Sequence, residues 1–198
     1  MFEKYTFTLA SASPRRRELL KGLDIAFTVE PGKDEKEAFS EGMPHTEIPA
    51  FLARHKSETF HRELGENEVL ITADTLVFLD DKILGKPHGP EEAAEMLRAL
   101  SGRTHTVTTG VAFRTRERLH AFSDTTEVDF KPLTDSEIAY YIEHYRPFDK
   151  AGAYGIQEWI GFVGITAIRG SYFNVMGLPV QRLYTELCRF FRFFDQKK

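Results

Sequence analysis

Asp74 is the residue of this sequence whose setting most strongly predicts chemistry. It lies within Val69–Leu79, a stretch that carries no other charge and is apolar at most of its positions. A carboxylate in such surroundings must be ion-paired, hydrogen-bonded, protonated or bound to a metal. A structural hydrogen bond explains Asp74 on its own as well as a catalytic or metal-binding role does. The choice between the two depends on the side chains that the fold brings near it.

Three consecutive arginines, Arg15 to Arg17, form the second candidate feature. They follow Ser13 and Pro14, which we place as the N-cap and the first residue of a predicted helix. The first turn of a helix favours anions, because its dipole and its free backbone N–H groups present positive charge there. Cations at that end cost roughly 0.3–1 kcal/mol each unless an anion joins them. The pattern therefore favours an anion site over a solvated charge run.

Four further charged residues could complete such a site, namely Glu35, Lys56, Lys86 and Lys150. Each of them alone is more often a solvated charge. Together with Arg16, the lysines would supply positive charge for a polyphosphate, while Asp74 and Glu35 would offer hard oxygen ligands to a divalent cation. The phosphate-loop, G-x-G-x-x-G, H-E-x-x-H and paired-cysteine zinc motifs do not occur. His105 has no second histidine at metal-binding spacing, so we expect it to be a structural hydrogen-bonding residue.

The composition limits the class of protein. A chain of 198 residues with 41% hydrophobic content can bury a sizeable core. Its net charge of −4 argues against a main role in gripping a nucleic-acid backbone, which requires a broad basic face. The single cysteine, Cys188, excludes a disulfide scaffold and favours a reducing compartment. Because no apolar run is long enough to span a bilayer, we expect a cytoplasmic protein without a membrane partner.

Hydrophobic periodicity predicts the elements that must position these residues. Strands are predicted at Tyr5–Leu9, Ile25–Val29, Val69–Leu79, Ile83–Leu84, Thr104–Arg114, Ala121–Phe130 and Ile160–Ile168. Helices are predicted from Pro14, over Thr46–Leu64, from Pro90 to Leu100, from the Thr134 capping box to Pro147, and from Pro179 through Phe191. This alternation predicts α/β or α+β architecture around a mixed sheet. We expect one domain over 1–198, either compact throughout or formed of two lobes around a cleft.

Extra aromatic residues mark the C-terminal end of the last predicted helix. They are Phe190, Phe193 and Phe194. Aromatic surface that a helix does not need for its own packing is suited to an oligomer contact. The sequence therefore makes a homodimer a candidate state.

Six sequence blocks occur in the order in which the Maf family of nucleoside triphosphate pyrophosphatases carries them, and the chain resembles that family over nearly its whole length. The blocks are Ala10–Arg16, Ala73–Thr75, Gly85–Pro87, Ser101–His105, Asp149–Gln157 and Gly170–Pro179. The resemblance implies a metal-dependent hydrolase that cleaves a nucleoside triphosphate between its α and β phosphates, giving the monophosphate and pyrophosphate. It also implies the α/β fold of the inosine triphosphate pyrophosphatases, a mixed twisted sheet flanked by helices.

The resemblance implies a role for each candidate residue. Asp74 is the proton acceptor that prepares water for attack and, with Glu35, a ligand to the metal ion. Magnesium suits these oxygen ligands, with manganese as an alternative. Lys56 and Lys86 are expected at the substrate with catalytic roles. The residues expected to bind the substrate are Ser11, Arg16 and Lys150. The acidic loop departs from the family pattern, so Asp34 or Glu37 could take the place of Glu35.

Base choice is expected to depend on Arg15, Thr75 and Gln157. The branch of the family that prefers dTTP and UTP carries these residue types, whereas the branch that acts on 7-methyl-GTP usually has a bulky aromatic in place of Arg15. The Gln157 amide offers both a donor and an acceptor to a uracil or thymine edge. The resemblance thus implies hydrolysis of dTTP and UTP, with 7-methyl-GTP as the alternative. A regulator linked to septum formation, which binds nucleotide or nucleic acid without turnover, is the alternative of a different class.

Overall fold

Seven strands form one mixed sheet in the part of the chain that this computed structural model describes, residues 2–32, 39–40 and 42–192. The strands are β1 (Thr6–Leu9), β2 (Phe27–Val29), β3 (Glu68–Leu79), β4 (Lys82–Leu84), β5 (Thr104–Arg114), β6 (Leu119–Phe130) and β7 (Ile165–Arg169). Their order is β2-β1-β3-β5-β6-β7, and β4 pairs with β3 beside this path. β1 runs parallel to both β2 and β3, whereas β4 is antiparallel to β3 and β7 is antiparallel to β6. The predicted mixed sheet of an α/β protein is confirmed.

The described residues also contain seven α-helices. They are α1 (Pro14–Lys21), α2 (Ile48–Glu58), α3 (Pro90–Leu100), α4 (Asp135–Tyr145), α5 (Trp159–Gly164), α6 (Tyr172–Val175) and α7 (Val180–Phe190). α1 and α2 connect the parallel strands, as such connections require a crossover. The predicted capping box begins α4: the Thr134 hydroxyl accepts the Glu137 N–H at 3.2 Å, and the Glu137 carboxylate accepts the Thr134 N–H at 2.8 Å. None of the helices in the described ranges has the length and apolar character needed to cross a membrane.

The chain divides into two compact units, and the divide falls inside strands. The first unit comprises Met1–Asp74, Thr109–Asp124 and Gly177–Lys198, and the second comprises Thr75–Thr108 and Thr125–Met176. The strands β3, β5 and β6 each pass from one unit into the other. The divide falls within strands and not in a linker, so no change of composition along the sequence marks it.

In the first unit, α2 packs backbone to backbone against β5. A Cβ atom on Gly110 would lie 2.0 Å from both the carbonyl carbon and the carbonyl oxygen of Pro49, so only glycine permits this approach. Ile48 and Leu52 on the same helix are buried, as is Ile71 on β3. The position of α2 on the sheet is therefore fixed by close packing.

In the second unit, α3 and α4 bury their apolar faces in one core. Leu97 and Leu100 of α3 are fully buried, and Ile138 and Tyr141 of α4 are buried in the same cluster, together with Val77 of β3. The spacing of these residues follows the helical period that the sequence predicted. The second unit thus has its own hydrophobic core.

His105 lies on β5 in the second unit and is 2% exposed. Its Nε2 atom lies 2.7 Å from the Tyr154 hydroxyl oxygen, and its ring stacks on Phe130. Burial lowers the pKa of His105 to about 4, against a small opposing effect of the Asp129 charge. It is the hydrogen-bonded structural histidine that the sequence predicted.

The predicted strand Ile160–Ile168 is wrong in its first half, where Trp159–Gly164 forms helix α5 and the strand begins at Ile165. A short apolar run is compatible with either structure. Gly161 favours the helix: a Cβ there would lie 1.9 Å from the Ile156 carbonyl oxygen, so the missing side chain lets α5 fold directly over the preceding segment.

The predicted helix Thr46–Leu64 is too long, since α2 spans only Ile48–Glu58. It ends where the Thr59 backbone N–H and hydroxyl both donate to the His55 carbonyl, at 2.9 and 3.0 Å. Phe60 and Leu64 beyond this point pack against Leu70 instead of extending the helix. These two residues therefore belong to the segment that follows the helix.

The aromatic residues near the C-terminal end pack on their own chain. The Phe190 ring centroid lies 5.0 Å from that of Phe113, and the Phe191 centroid lies 4.1 Å from that of Tyr5. Phe193 and Phe194 lie outside the described residues. The aromatic surface that suggested a homodimer is therefore smaller than the sequence indicated.

Candidate active site

Asp74 on β3 is 5% exposed, and its two carboxylate oxygens have different surroundings. The Oδ1 atom accepts a hydrogen bond from the Lys56 ammonium. The Oδ2 atom is buried and has no hydrogen-bond partner among the described residues. The ion pair explains how an apolar strand tolerates the charge. It also leaves one oxygen that a water molecule, a metal ion or a substrate could use.

A second contact between α2 and β3 accompanies the Lys56–Asp74 ion pair. The Thr72 hydroxyl donates to the Ala53 carbonyl at 2.6 Å. Thr72 and Asp74 share one face of β3, and Ala53 and Lys56 are neighbours on the helix surface because they are three residues apart. The two contacts form successive links between β3 and α2, so the fixed position of the helix determines where the Lys56 ammonium lies.

The beginning of α1 holds Arg16 in a network of backbone and hydroxyl contacts. The Ser13 hydroxyl accepts the Arg16 backbone N–H at 3.4 Å, as an N-cap should, and the Ser13 N–H donates to the buried Ser11 hydroxyl at 3.2 Å. The Arg16 guanidinium donates through Nε to the Gly177 carbonyl at 2.8 Å. It also donates to the Ser11 hydroxyl at 3.5 Å. The guanidinium is thus held over the helix N-terminus, and the first turn contains no acidic residue.

Ser11 and Asp74 lie at the same edge of the sheet. The parallel strands β1 and β3 place Leu9 opposite Ile71, and the Ala10 N–H donates to the Ile71 carbonyl at 2.9 Å. Ser11 lies two residues after Leu9, and Asp74 lies three residues after Ile71, so both lie beyond the carboxyl ends of the paired residues. Open α/β sheets bind ligands at the carboxyl ends of parallel strands. The first unit therefore brings the N-terminus of α1 and the buried carboxylate to the same end of the β1–β3 pair.

The second unit carries four of the predicted site residues, the half-buried Thr75, the exposed Lys86 and Gln157, and the buried Lys150. The Gly152 N–H donates to the Gly85 carbonyl at 3.0 Å. The loop that contains Lys86 is thereby tied to the segment 149–158. Lys86 therefore lies on a loop that is connected to the segment carrying Lys150 and Gln157, whereas Thr75 lies on β3.

Lys150 has two carboxylate partners within the second unit. Its Nζ atom lies 2.7 Å from Asp149 Oδ1 and 3.0 Å from Glu158 Oε1, and its side chain is 9% exposed. A buried lysine needs such compensation, since an unpaired ammonium is costly to desolvate. Lys150 is therefore held in place by its own chain.

Three residues that the sequence reasoning did not single out support these groups. Thr72 reads as an ordinary strand residue, Tyr141 as a core aromatic and Glu158 as a surface charge. The signal for Tyr141 was available, because a buried tyrosine hydroxyl usually has a hydrogen-bond partner. No local pattern could have paired Thr72 with a helix carbonyl 19 residues away.

The predicted metal ligand Glu35 lies outside the described residues, as do its alternatives Asp34 and Glu37. Within the described ranges, no group of three or more histidine, cysteine, aspartate or glutamate side chains is arranged to hold a metal ion. Of the two predicted metal ligands, Asp74 and Glu35, Asp74 is the one that lies among the described residues.

Fold and candidate site together define an α/β protein with an arginine-rich helix N-terminus after β1 and a buried, ion-paired carboxylate on the neighbouring parallel strand β3. The sequence model of the Maf family, described as Maf-like protein, matches residues 6–190. The dTTP/UTP pyrophosphatase of Bacteroides fragilis is 52% identical over 185 residues, which cover 93% of this chain and 96% of that protein. The dTTP/UTP pyrophosphatase of Porphyromonas gingivalis is 52% identical over 190 residues, covering 95% and 96%. The chain belongs to the Maf family, which confirms the resemblance found in its sequence blocks.

Among solved structures, a HAM1 protein from Coxiella burnetii aligns with 93% of this chain and 99% of its own, at a TM-score of 0.48 and 17% identity. A nucleoside-triphosphatase described as a dITP/XTP pyrophosphatase, from Mycobacterium abscessus, aligns with 65% of this chain and 75% of its own, at a TM-score of 0.43 and 14% identity.

Proposed function

We propose that this protein hydrolyses nucleoside triphosphates, foremost dTTP and UTP, between the α and β phosphates, and releases the monophosphate and pyrophosphate. The observation that carries the proposal is the Asp74 carboxylate, buried on β3 with one oxygen bound to Lys56 and the other without a partner among the described residues. The names of relatives that match nearly the whole chain support the choice of substrates.

Asp74 acts as the general base in this proposal. A base must have a lone pair directed at the proton that it accepts, and Oδ2 meets this condition because only Oδ1 is used by Lys56. The Lys56 ammonium holds the carboxylate in one orientation and compensates its charge. The water that Asp74 deprotonates attacks the α phosphorus, and pyrophosphate leaves.

The phosphates bind at the N-terminus of α1 in this proposal. The backbone N–H groups of the first turn, the Ser11 hydroxyl and the Arg16 guanidinium all present positive charge or donors there. Fixed cations stabilise the charge that develops on phosphate oxygens during the reaction. We assign Lys86 of the second unit to the same task, as a catalytic cation, and Lys150 to the substrate side of that unit.

A divalent metal ion fits the donor set at Asp74. Magnesium is commonly held by one or two carboxylates together with substrate phosphates and several waters, so it needs no all-protein cage. The buried, unpartnered Oδ2 atom of Asp74 is a suitable oxygen ligand, and Glu35 would be the second carboxylate. When bound, the metal would supply neutralisation of phosphate charge and a more acidic water. We propose Mg²⁺, with Mn²⁺ as the alternative.

Base choice is assigned to Arg15, Thr75 and Gln157. The exposed Gln157 amide can donate to one carbonyl of uracil or thymine and accept from the ring N–H. A site that hydrogen-bonds a substrate group discriminates strongly against analogues that lack it. We therefore expect pyrimidines with two ring carbonyls to be preferred.

The substrate proposal is tested by measuring pyrophosphate release with magnesium over a panel of dTTP, UTP, dCTP, dGTP and 7-methyl-GTP. We expect kcat/KM to be highest for dTTP and UTP. Faster cleavage of 7-methyl-GTP would assign the chain to the other branch of activity. Tight nucleotide binding with no pyrophosphate from any member of the panel would contradict the enzyme proposal and favour a regulator.

The composition also bears on the cellular setting and on the assembly state of the protein. We propose a cytoplasmic enzyme, because the proposed substrates are nucleotides and its one cysteine is buried and has no second cysteine in the sequence to pair with. Size-exclusion chromatography with light scattering would test the homodimer that the C-terminal aromatic residues suggested.

A further inference from the structure

A chain of polar contacts connects residues on both sides of Gln157 in the second unit. Lys150 Nζ lies 3.0 Å from one oxygen of Glu158, and the other oxygen of Glu158 accepts a hydrogen bond from the Tyr141 hydroxyl. The Tyr141 hydroxyl in turn accepts the Gly155 backbone N–H at 2.9 Å. We call Lys150, Glu158, Tyr141 and the Gly155 N–H the Glu158 clamp.

The Glu158 clamp connects residues on both sides of the short segment that carries Gln157. Lys150 lies before the segment and Glu158 directly follows Gln157, while Tyr141 comes from the neighbouring helix α4. The backbone passes close to the clamp at Gly155, where a Cβ would lie 2.8 Å from the Glu158 carboxyl carbon and 3.0 Å from Lys150 Cε. The turn from Gly155 to Glu158 is therefore held at three points.

The chemistry of the clamp is that of a rigid support. Tyr141 is fully buried, and burial together with the Glu158 carboxylate raises the pKa of its hydroxyl, which remains a donor. The Lys150 ammonium is compensated by Glu158 and Asp149. Buried polar groups with satisfied hydrogen bonds rigidify the segment that they connect. In contrast, Gln157 itself is exposed, although the preceding Ile156 is buried.

We propose that Glu158 is a positioning residue for base selection, which acts through Lys150 and Tyr141 to fix the turn that presents Gln157. This inference rests on the proposed function, because it assigns the Gln157 amide to the uracil or thymine edge. An amide carries a donor on one side and an acceptor on the other, so a loosely held glutamine can satisfy cytosine as well as thymine. A fixed turn restricts Gln157 to one approach and so creates the preference.

Two variants test the role of the clamp. Tyr141→Phe removes the hydroxyl but keeps the ring in the core, and Glu158→Gln removes the charge but keeps the shape. The matched controls are Tyr140→Phe, an exposed tyrosine one position earlier on α4, and Glu143→Gln, an exposed glutamate on the same helix. The measured quantities are kcat/KM for dTTP and for dCTP, and hydrogen exchange at the amides of residues 155–157.

We expect both clamp variants to lower the ratio of kcat/KM for dTTP over dCTP by about tenfold, the effect of one well-placed hydrogen bond. The loss should be in the dTTP value, with dCTP nearly unchanged, and Tyr141→Phe should speed exchange of the Gly155 amide. Both controls should keep the parent ratio and exchange rate. A purely structural role would lower both substrates in proportion.

The outcomes separate the two proposals. If the parent protein prefers dTTP and both clamp variants keep the full preference, or lose both substrates equally, the positioning role is wrong and the proposed function stands. If the parent cleaves neither nucleotide or does not prefer dTTP, the proposed function fails, and the base-selection role fails with it. Faster exchange at Gly155 in Tyr141→Phe alone would then show a structural clamp only.

Discussion

At the scale of single residues, the two oxygens of Asp74 differ in their surroundings. Oδ1 accepts from Lys56, whose ammonium compensates the buried charge, and Oδ2 has no partner among the described residues, which is why we assign it to the proposed reaction. The sequence alone predicted that Asp74 needs a partner. It could not name Lys56, because the pair joins a helix and a strand 18 residues apart and depends on how α2 packs.

Replacing Lys56 by Met should destabilise the fold by about 1–3 kcal/mol, because the Asp74 carboxylate would remain buried without its counter-charge. The double variant Lys56→Met with Asp74→Asn should recover much of this loss, since the buried charge is then absent. Denaturant unfolding monitored by circular dichroism measures both. Lys86→Met, at an exposed position, is the control and should unfold like the parent. Equal loss in the single and double variants would show that the ion pair does not carry the effect.

At the scale of elements, the site depends on where α2 lies on the sheet. The contact of Gly110 with Pro49 and the Thr72 to Ala53 hydrogen bond set this position, and Lys56 follows from it. Periodicity predicted that α2 exists, but not the residue at which it ends. It also predicted a strand where α5 lies, because the short apolar run from Ile160 fits both structures and only the packing of Gly161 decides.

Replacing Gly110 by Ala should reduce both stability and activity. The new Cβ would meet the Pro49 backbone at 2.0 Å, and backbone atoms cannot rotate away, so α2 must move and take Lys56 with it. Overpacking of this kind costs about 1–3 kcal/mol or more. Thermal unfolding and dTTP hydrolysis measure the two effects. Gly65→Ala is the control in the same unit, since its Cβ would make only ordinary contacts at 3.6 Å; equal behaviour of the two variants would contradict the close-packing argument.

At the scale of the whole molecule, the seven strands found in the described ranges form one sheet, and the division into two units falls within these strands. The sequence predicted the α/β class and most element positions, because these depend on local periodicity and on caps such as Thr134. The strand order and the division into units depend on contacts between distant segments, so no local pattern shows them. The resemblance to the Maf family assigned roles to the candidate residues on both units, which physical reasoning from single residues had left open.

Folding stability should fall as pH decreases from about 6.5 to about 4. Burial lowers the pKa of His105 to about 4 from 6.5, so the unfolded chain binds a proton in this range more readily than the fold does. The stabilisation is complete at pH values above the pKa of His105 in the unfolded chain. As the pH falls from that pKa to the pKa in the folded protein, the free energy of unfolding decreases by about 3 kcal/mol. Denaturant unfolding at a series of pH values measures the free energy of unfolding. In His105→Gln this free energy should depend less steeply on pH between about 4 and about 6.5. The exposed His88→Gln should keep the parent slope; a parent-like slope in His105→Gln would contradict the assignment.

The most direct test of the central claim is the turnover of dTTP by Asp74→Asn under conditions where the variant is shown to be folded and to bind the nucleotide. If Asp74 is the base, kcat should fall by about a hundredfold to ten-thousandfold, while dTTP binding is retained. Release of pyrophosphate at the parent rate by the folded variant would contradict the account.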